Sequence, residues 1–478
     1  MLLCLGVFYI YNTLTKRVEK FEPIEPPFVK IYHCGITPYS ESHVGHLRAE
    51  AAVDILRRVL RFLGYIDIAI SNFTDIDDKI IKRAREENVN WEEIPKKYIK
   101  YHLEVVKEIN NLPFYINPKV TEHIEDIVEF VKDLMKKGYA YEGKQGIYFE
   151  VDKFEDYGKL SGRRGKEAWR QEEEVLEDKK KPYDFALWKF KKPDEPYWKT
   201  EIGEGRPGWH IECSTMSSKY LGEQFDIHSG GQDLIFPHHE NEIAQSEARF
   251  GKKPWVKYWF HIGYVMIKGE KMSKSLGNII PAKDFIKKVG PMEARFYLIS
   301  THYRDPLDIK EESIEQYKEN YRYVFSTIKT IKTILDSLDR TCYLNDKEIE
   351  IWKNMLNFHK EFINAILNDL DTTKATSILL EATKFINKEI VPKENFTLIY
   401  SAYEFYNTVN RIYACWDNIL IGEKEEKLVD ELIKLIVDIR KELRLEKRYD
   451  LADKIRERLR EMGIDLLDKG LETGWRFI

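Results

Sequence analysis

The run from Phe28 to Phe73 constrains this fold more than any other stretch. Phe28–Cys34 is short and β-rich, and a Gly- and Pro-containing loop, Gly35–Gly45, follows it. His46–Leu63 is then a long amphipathic segment closed by Gly64, as a helix C-cap would close it. Tyr65–Phe73 is a second β-type run, and Asp75–Glu87 has helical character. A strand that passes through a helix before the next strand returns parallel to the first, which is the βαβ unit of a buried parallel sheet. The same order recurs later: a strand at Gln224–His228, a Gly230-Gly231 loop, a helix from His238 to Phe250 closed by Gly251, and a strand at Tyr258–Val265. The chain is therefore predicted to be α/β, its parallel sheet split between residues 8–110 and 206–265. Between the halves lies an insertion, 111–205, whose Pro and Gly content and charge run Gln171–Lys181 predict an irregular subdomain.

Past residue 310 the pattern changes. Ile314, Tyr317, Tyr321, Val324, Ile328, Ile331, Leu335 and Leu338 step by alternating threes and fours, which is one apolar stripe on a helix. More helical segments run to about residue 420, and Leu428, Leu432, Leu435, Ile439 and Leu443 predict a last apolar stripe. An α-helical bundle over 316–420 and a small C-terminal helical module over 421–478 are expected. At the other end, Leu2–Tyr11 is apolar but lacks the basic flank and cleavage site of a signal peptide. It reads as a strand, Phe8–Thr15, preceded by a short extension. No apolar run approaches the ~18 residues of a membrane span.

Charge and cysteine count bear on partners. The 478 residues carry 76 Lys and Arg against 81 Asp and Glu, a net charge of −5 that excludes a uniformly basic nucleic-acid wrapper. A local basic face is still compatible with that total. Residues 440–460 hold nine basic and five acidic residues, a local +4 whose plainer reading is a solvated, ion-paired helix. Five scattered cysteines form no disulfide framework, and they predict a reducing, cytoplasmic setting.

Two short strings carry phosphate chemistry. His43-Val44-Gly45-His46 stands between a strand and a helix start, where free N–H groups and the helix dipole favour an anion. Its imidazoles add donors, and Gly45 lets a nucleotide approach the backbone. Lys271-Met272-Ser273-Lys274-Ser275 sets two ammonium groups among hydroxyls, a composition suited to a phosphate chain that gains charge during transfer. A third set has metal-ligand chemistry: Cys34 after the first core strand, Cys213 in Gly208–Ser214, and the helical string His238-His239-Glu240-Asn241-Glu242. Two thiolates, an imidazole and a carboxylate are an ordinary zinc ligand set. His238 and Glu242 share a face at i and i+4, and His239 does so at i+3, so either histidine fits. Buried core cysteines are the alternative reading of Cys34 and Cys213.

With both phosphate strings in place, the chain resembles a class I aminoacyl-tRNA synthetase. The strings Cys34–Thr37, Asn72–Ile80, Tyr157–Ser161, Asp184–Lys189, Gly208–Cys213, Phe225–His228, Phe236–Ser246, Ala452–Arg456 and Trp475-Arg476 make it similar to the cysteinyl-tRNA synthetases over nearly its whole length. His43–His46 departs from the usual His-Ile-Gly-His only by valine. Asn368–Thr373 matches the family's Asp-Asp-Leu-Asn-Thr-Pro string imperfectly, with Thr373 in place of Pro.

The resemblance implies a Rossmann-like catalytic domain, with 111–205 as its connective insertion and 266–315 as the region of the Lys271–Ser275 loop and of stem contact. It also implies tRNA or anticodon contact by 316–420 and 421–478. The implied activity is condensation of L-cysteine with ATP to cysteinyl-adenylate, then transfer to the 3′ end of tRNA(Cys). One Zn²⁺ on Cys34, Cys213, His238 and Glu242 is implied to select the substrate thiolate, and Mg²⁺ to accompany ATP. His43, Gly45, His46, Lys271 and Lys274 are implied to be catalytic, and Ser273 and Ser275 to join in holding ATP. Thr74, Trp209 and His228 are implied to line the cysteine pocket. Trp475 is a candidate for stacking on an unpaired base. A monomer is expected, and Cys4, Cys342 and Cys415 have no assigned role. One rival is a cysteine ligase of the mycothiol pathway, whose small acceptor needs no anticodon module. The other is a catalytically dead RNA-binding paralogue, against which the intact phosphate strings argue.

Overall fold

The computed structural model describes residues 6–163, 165, 178–272, 277–340, 343–420, 423–446, 448–461, 464–469 and 472–477. By Cα proximity the chain divides into two units, Met1–Cys415 and Trp416–Ile478.

The larger unit opens with an antiparallel hairpin, β1 (Tyr9–Asn12) and β2 (Arg17–Lys20), so the first predicted strand turns back on itself at residues 13–16. The core follows as β3 (Phe28–Ile36), α1 (Val44–Phe62), β4 (Ile66–Phe73), α2 (Asp78–Glu87) and α3 (Glu93–Glu108). Helix α4 (Ile124–Lys136) leads into β5 (Ala140–Glu142), β6 (Gly146–Phe149), β7 (Phe185–Phe190), β8 (Trp198–Thr200) and β9 (Gly203–Pro207). The second half of the core is α5 (Trp209–Leu221), β10 (Phe225–Gly231), α6 (Glu240–Phe250) and β11 (Val256–Ile262).

Strands β3, β4, β10 and β11 form one parallel sheet in the order β11-β10-β3-β4. Its strands read as continuous buried runs because helices cover both faces. The order reverses between β3 and β10, and such a switch point leaves a crevice at the carboxyl ends of the strands.

The insertion is not irregular. It holds a five-stranded antiparallel sheet in the order β5-β6-β7-β9-β8, with α4 beside it. Its strands are short, and β6 is buried throughout, so neither length nor alternation announces it. Of the charge run Gln171–Lys181, residues 171–177 lie outside the described residues.

After β11 come β12 (Val265–Ile267) and β13 (Glu270–Lys271), which form a hairpin around Lys268 and Gly269, both at positive φ as a two-residue turn of this type requires. The predicted strand Tyr258–Val265 is thus two strands, and Lys271 lies in β13 rather than in the loop after it. Helices α7 (Ala282–Val289) and α8 (Pro291–Ser300) and strand β14 (Leu307–Ile309), parallel to β12, lead to the bundle. The bundle comprises α9 (Glu311–Leu335), α10 (Asp346–Leu367), α11 (Thr372–Phe385) and α12 (Phe396–Tyr413). The α9 stripe is buried at Ile314, Tyr321, Val324, Ile328 and Ile331.

Arg295 of α8 ties these parts together. Its guanidinium donates to Asp54 on α1, to the Ile109 carbonyl (2.9 Å), to Asn111 Oδ1 (2.7 Å) and to the Tyr413 carbonyl. Asp369, in the imperfectly matched string, accepts from the Tyr11 N–H (2.7 Å) and from the Tyr303 hydroxyl (2.7 Å).

The smaller unit holds α13 (Asp417–Leu420), α14 (Glu423–Leu445), α15 (Tyr449–Glu461) and a closing hairpin, β15 (Ile464–Lys469) with β16 (Glu472–Phe477). The expected helical module therefore ends in strands. Its core is Ile433, Leu459, Ile464 and Leu466. That places the buried face of α14 one residue away from the predicted stripe, and Leu432, Leu435 and Ile439 are exposed. Arg440, counted among the basic residues, is buried, and it donates to the Ala452 carbonyl at 3.2 Å.

Candidate functional site: a buried Cys/His/Glu cluster beside two phosphate motifs

The crevice at the switch point gathers side chains from distant parts of the sequence. Cys34 stands near the end of β3, Cys213 on α5, His238 in the segment just before α6 and Glu242 in its first turn. All four are buried, and one ligand atom from each falls in a set spanning no more than 4.8 Å. Cys34 Sγ lies 3.9 Å from Cys213 Sγ and 3.4 Å from His238 Nε2, and His238 Nε2 lies 3.0 Å from Glu242 Oε1. A tetrahedral ion about 2.3 Å from sulfur and about 2.0 Å from nitrogen and oxygen gives ligand–ligand edges of roughly 3.3–3.8 Å. The observed separations bracket those edges. Glu242 Oε1 is also buried with no hydrogen bond, despite its closeness to His238. Both observations fit a metal ion.

Local backbone explains the geometry. The chain kinks within Ile235–His239, where Phe236 is extended (φ −140°, ψ 132°), so α6 begins two residues later than the sequence indicates. The adjacent imidazoles point apart. His238 faces the thiols, while His239 Nδ1 meets His261 Nε2 at 2.8 Å. A second triplet, His228, His239 and Glu242, shares the same carboxylate, with His239 Nε2 4.0 Å from Glu242 Oε1.

These side chains have partners behind them, as metal ligands generally do. His238 Nδ1 meets His210 Nδ1 at 2.9 Å, and His228 Nε2 lies 2.8 Å from Glu242 Oε2. Burial alone would raise the Glu242 carboxyl, but His228 and His238 outweigh it and bring it down to about 2. Burial works against charge on His238 as well, yet Glu242 and Cys213 push it up to about 10. The Cys213 thiol is raised, first by its hydrogen bond with Cys34 and then by burial.

Beside the cluster, Asn72 at the end of β4 links several groups. Its Oδ1 accepts the Gly35 N–H (2.9 Å) and lies 3.8 Å from Cys213 Sγ, and its amide donates to Thr74 Oγ1 (3.4 Å). The Thr74 hydroxyl donates to Glu212 Oε2 at 3.0 Å. Trp209, the first residue of α5, stacks on the His238 ring at 4.2 Å between centroids. Trp209 and Glu212 line a cavity of about 200 Å³ with Thr37, Ile76 and Asp77. His228 is fully buried against Glu242. Glu212, Asn72 and His210 were not singled out from the sequence. The glutamate immediately before a candidate cysteine ligand was the one available signal.

The His43–His46 string and the described start of the Lys271–Ser275 string approach each other. His43 is the N-cap of α1, whose helix starts at Val44, two residues before the predicted start. The displacement arises because His43 and His46 cap the helix themselves: the His43 N–H donates to His46 Nδ1 at 3.2 Å. Their rings stack at 3.7 Å. The Val44 N–H donates to the Ile280 carbonyl (3.1 Å) and the Ala282 N–H to the Ser42 carbonyl (2.8 Å). A side chain built at Gly45 would meet the His43 ring at 3.0 Å and Met272 Cε at 3.1 Å. Met272 of the Lys271–Ser275 string thus reaches the Gly45 backbone, and Ile280–Ala282, beyond that string, pairs with Ser42–Val44. Lys271 Nζ sits 3.8 Å over the Tyr264 ring. Ser273, Lys274 and Ser275 lie outside the described residues, as do Cys4, Cys342 and the Trp475 side chain. Cys415 is buried, with its Sγ 3.4 Å from the Tyr413 carbonyl. No helix among the described residues is long and apolar enough to cross a membrane.

Comparison with known proteins places this architecture. The family model for the catalytic domain of class I (C) tRNA synthetases matches residues 20–319. A cysteine–tRNA ligase of Staphylothermus marinus is 49% identical over 469 residues, 98% of each chain. One from Pyrococcus abyssi is 48% identical over 472 residues, again 98% of each chain. Among solved structures, a Mycobacterium tuberculosis methionyl-tRNA synthetase bound to methionyl-adenylate aligns with TM-score 0.62 at 14% identity, covering 84% of this chain and 93% of that one. The Agrobacterium radiobacter LeuRS–tRNA–LeuAMS complex aligns with TM-score 0.65 at 9% identity, covering 84% and 86%. These two share the fold. The catalytic-domain match and the near-complete alignment to curated relatives together establish that the chain belongs to the cysteine–tRNA ligase family of class I synthetases.

Proposed function

We propose that this enzyme condenses L-cysteine with ATP and transfers the cysteinyl group to the 3′ end of tRNA(Cys), as a monomer, with Mg²⁺ accompanying ATP. The observation that carries this reading is a buried Cys/His/Glu cluster in the same unit as the approach of Met272 to the His43–His46 turn. The amino-acid carboxylate attacks the α-phosphorus, and the bond to the bridging oxygen breaks to release pyrophosphate. A carboxylate needs no general base, so the chain's part is positioning and charge stabilisation. His43 and His46 donate to phosphate oxygens, Gly45 admits the nucleotide, and Lys271 and Lys274 brace the departing pyrophosphate, with Ser273 and Ser275 beside them.

Cys34, Cys213, His238 and Glu242 would hold zinc. Zinc supplies a soft acceptor that takes a thiolate far better than a serine hydroxyl, a discrimination that an apolar pocket makes only about 10–200-fold. Thr74, Trp209 and His228 line the amino-acid pocket, and His228 also orients the Glu242 carboxylate.

The catalytic domain comprises 8–110 and 206–265, with 111–205 as the connective insertion and 266–315 as the Lys271–Ser275 and stem-contact region. Segments 316–420 and 421–478 serve tRNA and anticodon recognition. Alignment through the C-terminal region favours a tRNA acceptor over the small acceptor of a mycothiol-type ligase.

Cysteine-dependent ATP–pyrophosphate exchange and cysteinylation of tRNA bearing the GCA anticodon, with and without residues 421–478, test the reading. Absence of cysteine-dependent exchange in zinc-loaded enzyme refutes it. For the metal, Cys213→Ser should lose zinc together with cysteine-over-serine selectivity, and zinc loss with selectivity intact would defeat the assignment.

A further inference from the structure

A chain of buried polar side chains runs beneath the turn that carries His43 and His46. The Ser42 hydroxyl lies 3.0 Å from His102 Nδ1 on α3, and His102 Nε2 lies 3.3 Å from Glu50 Oε1 in the second turn of α1. The same carboxylate oxygen stands 3.8 Å from His33 Nε2 on β3, whose Nδ1 meets Ser229 Oγ on β10 at 2.8 Å. Every member is at most 4% exposed. The other buried charges of α1 have plain structural partners. Asp54 meets Arg58 and Arg295, Arg57 meets Asp67, and Arg48 donates to the Thr301 and His302 carbonyls (2.8 and 2.7 Å). Glu50 differs, because imidazoles rather than a guanidinium meet its carboxylate. Burial would raise the Glu50 carboxyl, but the His102 hydrogen bond and the His33 and His102 charges outweigh it and hold it below the usual range. A carboxylate only accepts, so His102 Nε2 carries a hydrogen and the orientation of the ring is set.

Ser, His and Glu in this order also make hydrolytic triads, but Ser42 has no exposed surface on which an electrophile could land. Its place in the chain gives it another use. Ser42 immediately precedes His43. Its carbonyl accepts the Ala282 N–H (2.8 Å) from one side, and its hydroxyl is held by His102 from another. Two fixed points on one residue set where the next begins, and the His43 N–H then donates to His46 Nδ1 (3.2 Å).

We propose that Ser42, His102 and Glu50 are positioning residues for adenylate formation: Glu50 orients His102, His102 holds Ser42, and Ser42 sets where His43 and His46 stand against the phosphate chain. This rests on the amino-acid activation proposed above and names what aims its phosphate donors. All three act through the two histidines and not on substrate. A displacement of about 1 Å can cost about 10²-fold in rate, so the network is read in the chemical step rather than in binding.

Rapid-quench measurement of cysteinyl-adenylate formation by the zinc-loaded enzyme, at saturating L-cysteine and ATP, tests this. Burst amplitude counts competent sites, and the rate constant reports the chemical step. Ser42→Ala removes one buried oxygen and should slow the step about 10-fold, with burst amplitude, cysteine KM and zinc content within about 2-fold of wild type. A purely structural role would lower the amplitude or Tm and leave the rate constant as in wild type, and that result overturns the proposal. His102→Phe keeps a ring packed edge-on against Phe73 (6.0 Å) and should slow the step by at least as much. Combined with Ser42→Ala it should be no slower than alone, because both changes break one unit; multiplied losses overturn the proposal. Glu50→Gln keeps an acceptor for His102 and should stay within about 3-fold of wild type, whereas Glu50→Leu should match His102→Phe. Equal loss in both Glu50 variants overturns the role given to that carboxylate. Should the changes at 50 and 102 prevent folding, Ser42→Ala decides alone. No adenylate from wild-type enzyme strikes the activation reading itself, whereas a wild-type rate in Ser42→Ala strikes only this inference.

Discussion

Replacing Gly35 by alanine tests how the sheet holds the metal-ligand cluster. A Cβ at Gly35 would stand 1.6 Å from the Asn72 carbonyl oxygen and 2.7 Å from its carbon, both backbone atoms of β4. Ordinary contact begins near 3.4 Å, so β3 and β4 must part by close to 2 Å at this point. Two hydrogen bonds span the gap, Gly35 N–H to Asn72 Oδ1 (2.9 Å) and Thr74 N–H to the Ile36 carbonyl (3.1 Å). Losing both costs about 2 kcal/mol, and forcing a methyl into packed backbone adds about 1–3 kcal/mol. At the unfolding entropy of a unit this size, the total lowers Tm by about 3–6 °C. The larger expected effect is on the zinc proposed for the cluster. Cys34 precedes Gly35 directly, and its sulfur cannot follow a strand displaced by such a distance and still meet Cys213 and His238. Differential scanning fluorimetry and zinc analysis after dialysis against a mild chelator should show the lowered Tm and well under one zinc per chain. Full zinc retention with an unchanged Tm would refute both the strand argument and the role of Cys34.

Gly45→Ala should behave differently, because its Cβ meets only the movable ends of His43 and Met272; we expect Tm within about 1 °C and a raised ATP KM in pyrophosphate exchange. Lys274→Ala should lower exchange about 10²–10³-fold, the usual effect of removing one transition-state donor, and wild-type exchange would sink that assignment. Arg295→Met leaves Asp54 buried beside Arg58 alone and should cost about 3–5 kcal/mol in urea denaturation. The same pair sets an acid limit. Burial would raise the Asp54 carboxyl, but Arg295 and Arg58 outweigh it and hold it below the usual range. Its contribution is therefore full above about pH 4 and is lost as pH falls through its depressed value. A denaturation series below pH 5 should show a shallower acid decline in Arg295→Met than in wild type.

The parallel core was legible because each of its elements carries its own signal. Phe28–Ile36 and Ile66–Phe73 are rich in β-branched and aromatic residues, and Gly64 and Gly251 end helices through ordinary backbone chemistry. Legibility failed where tertiary packing overrides local pattern. The start of α1 was hidden because histidines, not Ser or Asp, cap it. The insertion sheet was hidden because strands as short as Ala140–Glu142 cannot display a period. On α14 the leucine stripe has good helical spacing, yet Ile433 and Arg440 face the core, since α15 and β15 decide which side is covered. The candidate ligands could be named in advance by chemistry and resemblance. Their partners His210 and Glu212 could not, because only the folded chain brings Phe185–Phe190, Trp209–Leu221 and Asn72–Thr74 to one crevice.

The strand order β11-β10-β3-β4 also has a consequence for synthesis on the ribosome. β3 pairs with β4 almost as soon as both emerge, but its other edge waits for β10, roughly 190 residues further along, which takes about 10–40 s at ordinary elongation rates. For that interval the nascent chain presents an open, apolar edge along Phe28–Ile36, the kind of template on which strands of other chains can add. The insertion is made within the same interval and can fold while the edge stands open. Translation speed across residues 37–224 is therefore a determinant of soluble yield, independent of the stability of the finished enzyme.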